Sequence, residues 1–202
     1  IGAPGCTLNE ARYVPPPPDA MRECLYQLEE YLHQPNEHPP LMRLAWIHYQ
    51  FEAIHPFIDG NGRIGRLLII LLMVHWNLLP TPLLYLSEYF ERHRSEYYDL
   101  LQAVSERGAW REWTVFFLRG VQEQAQQAAQ TIRDLQDLHA RWKRTLEQAG
   151  TRSAVAYLAL EMLTERPIIT PKEVEARVGC TPMGARKALQ ELEQIGIITV
   201  QG

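Results

Sequence analysis

The chain has 202 residues, 46% of them hydrophobic, which suffices for one good core and a small second one. Its 20 basic and 24 acidic residues leave a formal net charge of −4, arguing against a general nucleic-acid binder or a membrane-surface protein, whose footprint would be basic. Cys6, Cys24 and Cys180 are widely separated with no CxxC pair, so free thiols in a reducing, cytoplasmic compartment are expected instead of a disulfide frame or a zinc site.

In chain order, Pro15 to Pro18 form a stiff stretch that must be extended and ends any strand before the first helix. From Asp19 the pattern turns helical, with Met21, Leu25, Leu28 and Leu32 recurring every three or four residues and Asp19 placed to cap. After a proline-bearing break at Pro35 to Pro40, Leu44, Ile47, Phe51 and Ile54 mark one face of a second helix over Leu41 to Ile54. That helix delivers His55 at its end; His48, with nothing at a useful spacing beside it, reads as structural.

The next residues carry the chemistry. His55 to Arg66 read HPFIDGNGRIGR, which suits a polyphosphate. Gly60 and Gly62 let backbone amides approach phosphate oxygens closely, and Asn61 between them adds a side-chain donor. A helix starting near Gly62 offers free amides and a dipole to the same anion. Arg63 and Arg66, three apart, share a helix face and can both fork onto phosphate. Asp59 is a hard oxygen ligand suited to magnesium. His55, with an ordinary pKa of roughly 6.5, can take a proton from an attacking hydroxyl. Phe57 is assigned to packing as the loop's anchor, and Ile64, Leu67, Leu68, Leu71 and Leu72 are expected to face a core. The apolar run Leu67 to Val74 is far too short to span a bilayer, so no membrane role is expected.

Further along, Tyr97, Leu100, Leu101 and Val104 have helical core spacing, which predicts that one of Tyr97 and Tyr98 is buried. Helices continue through Trp110 to Leu118. From Val121, the residues Ala125, Ala128, Ile132, Leu135, His139, Trp142 and Leu146 alternate spacings of four and three, a coiled-coil seam. It fits either self-association into a homodimer or a helix lying along the preceding helical domain. Beyond Gly150 come helices over Ser153 to Thr164, Pro171 to Val178 and Pro182 to Gln194, with a glycine turn at Gly179 and a β-rich tail at Gly196 to Val200. Two short helices, a tight turn and a strand resemble a winged helix-turn-helix. DNA is one partner such a module could take. Arg152, Arg166, Lys172, Arg177, Arg186 and Lys187 are balanced by Glu161, Glu165, Glu173, Glu175, Glu191 and Glu193, so a protein-docking role stands equally open.

HPFIDGNGRIGR resembles the signature of Fic proteins, HxFx(D/E)GNGRxxR, at every specified position. ARYVPPPP at Ala11 to Pro18 and LLYLSEYFERHRSEYYDLLQ at Leu83 to Gln102 look like bacterial Fic proteins with a C-terminal winged helix. The resemblance implies a mainly α fold: a helical Fic-type catalytic domain at residues 1–120 with a β-hairpin flap remnant at 1–14, a linking helix at 121–150 and a winged-helix domain at 151–202. It implies a protein adenylyltransferase in which His55 deprotonates a Ser, Thr or Tyr hydroxyl of a target protein. That hydroxyl attacks the α-phosphate of ATP, and pyrophosphate leaves. Asp59 would hold Mg2+, Gly60, Asn61 and Gly62 would form the anion nest, and Arg63 and Arg66 would hold the β- and γ-phosphates. Tyr97 and Tyr98 match a tyrosine pair near the adenosine, and Ile1 and Gly2 match the end of the flap, which covers the nucleotide and aligns the target by strand pairing.

Two departures qualify the likeness. Ser105 stands where many relatives carry a nucleotide-contacting asparagine, and the inhibitory pattern (S/T)xxxE(G/N) occurs nowhere in the chain. The chain begins at Ile1 without a methionine and reads as a fragment, so any inhibitory segment is expected upstream and this fragment is expected to lack that autoinhibition. The alternatives are a Fic-type transferase of another nucleotide or a phosphoryl group, and a DNA-binding regulator whose Fic-like fold senses nucleotide without turnover.

Overall fold

The structure, a computed structural model, describes residues 7, 9–35 and 37–199. Its regular elements are helices, and no strand occurs among the described residues. Ile1 and Gly2 lie outside them, as does half of the expected flap at 1–14. The chain divides into two compact units, Ile1–Ala128 and Ala129–Gly202.

The first unit holds α1 (Pro18–His33), α2 (Pro40–Ile54), α3 (Asn61–His75), α4 (Leu86–Arg92), α5 (Arg94–Arg107) and the first part of α6 (Trp110–Gln148). Proline opens α1 and α2, because the first helical position needs no N–H donor and favours proline's fixed φ. Asp19 therefore sits inside the first turn of α1 and makes no cap hydrogen bond, contrary to its expected role.

Helix α2 is the central element. It buries Leu44, Ala45, Ile47, His48, Tyr49, Phe51 and Ile54, nearly all the way round, and packs on α1, α3 and α5. Each fully buried aliphatic side chain contributes roughly 1.5–3 kcal/mol. His48 is enclosed by aromatic rings: it stacks on Phe90 at 5.4 Å between centroids, lies beside Trp113 and Phe117, and meets the Tyr97 hydroxyl at 3.0 Å through Nε2. Its expected structural role is what the packing displays.

The core face of α3 differs from the one expected. Gly65, Ile69, Leu72 and Met73 are buried, whereas Ile64, Leu67 and Leu71 are exposed. The cause is Gly65, where α3 meets α2 so closely that a Cβ would lie 2.7 Å from Glu52 Oε1, 3.1 Å from Phe51 Cδ1 and 3.3 Å from His48 Cε1. The contact stripe runs through that glycine, so the larger apolar residues on the other side are left outside.

Before α1, Arg12 donates to Asp99 and Gln102 on α5, and the Tyr13 hydroxyl donates to the Ala53 carbonyl at 2.6 Å. These bonds lay the segment beside the end of α2.

The second unit contains the rest of α6 with α7 (Ala154–Glu165), α8 (Pro171–Val178) and α9 (Pro182–Gln194). Ser153, Thr170 and Thr181 cap α7, α8 and α9, and Thr170 forms a reciprocal capping box with Glu173. Gly179 takes the left-handed conformation that ends α8, with φ 71°. Leu146, Ala156, Leu160, Val174, Ala188 and Leu192 form the core. Helices α8 and α9 follow one another through the turn at Gly179, but residues 197–199 form no strand and 200–202 lie outside the described residues, so the expected wing is not seen.

Helix α6 runs through residue 120 without a break. Along its heptad seam Val121 and Leu146 are buried, while Ile132 and Leu135 are 46% and 56% exposed. Among the described residues no helix is long and apolar enough to cross a membrane.

Candidate active site

His55 caps the C-terminus of α2 in the left-handed region, with φ 50° and ψ 57°, and its N–H bonds to the Phe51 carbonyl at 3.1 Å. A non-glycine residue there is held by its surroundings and marks a position worth functional scrutiny. Nδ1 lies 3.3 Å from the Glu52 carbonyl. A carbonyl can only accept, so this bond places the proton on Nδ1 and leaves Nε2 of the neutral ring as a bare acceptor. Burial lowers the His55 pKa below its ordinary value, with the Glu52 carbonyl opposing the shift.

The loop after His55 is pinned by Asn61. This first residue of α3 is 2% exposed, accepts the Phe57 N–H at 2.9 Å through Oδ1 and donates to the Phe57 carbonyl at 2.6 Å through Nδ2. The side-chain donor expected to meet an anion is thus engaged within the loop. Phe57 and Ile58 are exposed, so the loop is anchored by an amide and not by the Phe57 ring. Gly60, at φ 90°, makes the bend. Asp59 accepts the Gly60 N–H at 2.7 Å and pairs with Arg63 at 3.1 Å, both side chains being largely exposed. No side chain caps α3, so its first amides remain available to an anion.

A pocket of about 170 Å³ lies beside this loop, lined by residues that include Glu52, His55, Gly62, Arg66, Tyr97 and Tyr98. Of the residues singled out from the sequence, His55, Gly62, Arg66, Tyr97 and Tyr98 meet here. Asp59, Gly60, Asn61 and Arg63 lie on the adjoining loop and first turn. Arg66 folds back across Gly62, where a Cβ would stand 3.0 Å from Nη1. It makes no hydrogen bond or ion pair among the described residues. Tyr97 is 5% exposed, engaged with His48, and burial raises its pKa well above the ordinary value. Tyr98 is the accessible member of the pair.

Sequence reasoning missed Glu52. It sits one turn before His55, lines the pocket, and has its Oε1 buried without a hydrogen-bond partner among the described residues. Burial raises its pKa to about 7, although Arg66 pulls it down. A carboxylate on the core-facing helix end, three residues before the candidate base, was the available signal.

Among the described residues no three His, Cys, Asp or Glu side chains gather as a metal cage. Asp59 alone suits magnesium held through one carboxylate, with ligand oxygens and water completing the shell.

Residues 4–73 match the Fic/DOC family. The chain is 34% identical over 96 residues to protein adenylyltransferase Fic of Drosophila grimshawi, covering 46% of this chain and 19% of that relative. It is 30% identical over 96 residues to a probable protein adenylyltransferase of Aquifex aeolicus (strain VF5), covering 48% of this chain and 28% of that one. The chain thus spans less than a third of the length of either curated relative. In fold it resembles the crystal structure of a Fic family protein from Desulfovibrio desulfuricans G20, with a TM-score of 0.54 and 24% identity, covering 89% of this chain and 50% of that one.

Proposed function

We propose that this chain, which carries a match to the Fic/DOC family, transfers AMP from Mg-ATP to a Ser, Thr or Tyr hydroxyl of a target protein or of itself. The observation that carries the reading is that His55, whose Nδ1 is engaged and whose Nε2 is left to accept, and Arg66, unpaired among the described residues, line one pocket. The hydroxyl oxygen attacks the α-phosphorus, its proton passes to Nε2, and the bond from the α-phosphorus to the bridging oxygen breaks to release pyrophosphate. Arg66, with the first amides of α3, holds the leaving phosphates. Arg63 joins them once a ligand separates it from Asp59. Magnesium bound at Asp59 would neutralise charge on the phosphates.

The pocket is smaller than the roughly 300–1,000 Å³ usual for whole ligands, which suits a base and sugar inside with the phosphate tail at its rim. Tyr98, the exposed member of the tyrosine pair, supplies a ring to the pocket lining. The target is proposed to be aligned by the segment containing Ile1 and Gly2. For the helix-turn-helix a protein contact is the proposed role: Arg166 and Arg177, two of its cations, are paired with Glu173 and Glu165.

The experiment is incubation with α- or γ-labelled ATP, comparing the chain with His55→Ala. Label from the α-position alone, lost in the variant, supports adenylyl transfer. Label from the γ-position identifies a phosphoryl transferase, and no label at all identifies a nucleotide sensor.

A further inference from the structure

Glu52 is half-buried at the pocket wall, with Oε1 itself buried and lacking a hydrogen-bond partner among the described residues, a state that costs free energy unless the site uses it. Its place is created by two glycines. Oε1 lies 2.7 Å from where a Cβ of Gly65 would stand and 3.8 Å from that of Gly62, while Arg66 Nη1 lies 3.0 Å from the latter point. Glu52 and Arg66 therefore converge over the face of Gly62 without forming an ion pair.

We propose that Glu52 is a positioning residue for Arg66, taking up a proton when a polyphosphate binds so that the full charge of the guanidinium faces the ligand. The inference rests on the function proposed above and deepens it. An ionised Glu52 competes with phosphate for Arg66, and a neutral one does not. A polyanion brought against Arg66 penalises a second negative charge alongside it, so binding draws a proton from solvent onto the Glu52 carboxylate.

Other groups face Glu52 from each element around it: His48 and His55 from α2, Arg66 from α3, Tyr97 and Tyr98 from α5, and Arg12 and Tyr13 from the segment before α1. His48 stays neutral with a pKa near 3, and burial raises Tyr97 and Tyr13 from their ordinary 10.0. His55 is lowered from 6.5, and Arg12 is paired with Asp99. Glu52, raised to about 7, is left as the group that changes charge between pH 7 and 8.

The test uses magnesium with α,β-methylene-ATP, which cannot be cleaved between its first two phosphates, and calorimetric titration at pH 6 and pH 8. The probe is compared on the chain and on Glu52→Gln, a neutral isostere, so that the probe's own ionisation and that of His55 cancel. If the ligand raises Glu52 by about one unit, the wild-type chain loses about fivefold more affinity between pH 6 and 8 than the variant does. At pH 7, titrations in two buffers of different ionisation heat register proton uptake only with Glu52 present. In turnover the same difference appears in KM and not in kcat. Equal pH dependence in the two proteins overturns the assignment while leaving the proposed function intact, and no binding by wild type at either pH removes both. Carbon-13 titration of Glu52 in the wild-type chain, with and without the probe, needs no variant: an upward shift of its midpoint supports the proposal, and an unmoved midpoint overturns it.

Discussion

Asn61 closes its side-chain amide onto both backbone polar groups of Phe57, accepting at 2.9 Å and donating at 2.6 Å. Those two bonds fix the bend between the candidate base and α3, the helix proposed to receive the phosphates. Asn61→Ala removes two part-buried hydrogen bonds, so a loss of about 1–3 kcal/mol is expected in denaturant unfolding. The same variant should lose nucleotide affinity, because the first turn of α3 is no longer held against the loop. A midpoint within error of wild type would show that water replaces the amide.

The two glycines of α3 respond differently to a methyl group. At Gly65 it meets Glu52, Phe51 and His48 at the crossing with α2, so Gly65→Ala is expected to cost about 1–3 kcal/mol. At Gly62 its tight contact is with the movable end of Arg66 at 3.0 Å, Glu52 Oε1 standing at an ordinary 3.8 Å. Gly62→Ala should stay within about 1 kcal/mol of wild type while raising KM several-fold by displacing that guanidinium. Thermal melts set beside steady-state kinetics separate the two cases; equal stability losses would contradict the assignment of Gly65 to the crossing.

The pH dependence of transfer follows from His55. Burial disfavours the imidazolium, so the neutral, proton-accepting ring persists below the ordinary 6.5. With Glu52→Gln as the background, to remove the other titration, kcat/KM, which reports groups of the free protein, should rise with pH to a midpoint below 6.5 and then remain level towards pH 8. A midpoint above 6.5 would show that His55 is not the base or is not in this environment in the free protein.

Stability should carry two opposing slopes. His48, with a folded pKa near 3 against an ordinary 6.5, lets the unfolded chain bind the extra proton, so its contribution falls as pH drops from 6.5. Glu52, raised from 4.5 to about 7, keeps the extra proton on the folded chain, so its contribution is lost as pH rises from 4.5 through 7. Removing Glu52 as Gln leaves the His48 slope unopposed. Between pH 4.5 and 6.5 the unfolding free energy of the variant should rise with pH relative to wild type by up to about 1.4 kcal/mol per unit. Parallel curves for the two proteins would contradict the burial assigned to Glu52.

Local chemistry was legible in the sequence where it acts through neighbours in the chain. Glycine and hydrophobic period placed α8 and α9 at their observed bounds, and the HPFIDGNGRIGR run located the loop and the helix it enters. What spacing could not supply was tertiary. Ile64, Leu67 and Leu71 carry a core-like pattern, yet the crossing at Gly65 decides which face of α3 is covered. Asn61 looked like a donor for a ligand until the fold brought Phe57 back onto it. Glu52 drew no notice beside an apolar helix because its significance depends on Arg66 arriving from α3. The left-handed backbone of His55 likewise belongs to the way α2 ends, which no residue type at that position foretold.

The central claim is that Nε2 of His55 accepts the hydroxyl proton while Arg66 and the start of α3 hold the nucleotide. It is tested most directly by measuring, on the same samples, equilibrium binding of Mg-ATP and the single-turnover rate of α-label transfer for the chain and for His55→Ala. The account predicts binding within about twofold of wild type and a transfer rate lower by at least about a hundredfold. Transfer that persisted near the wild-type rate with binding intact would contradict it.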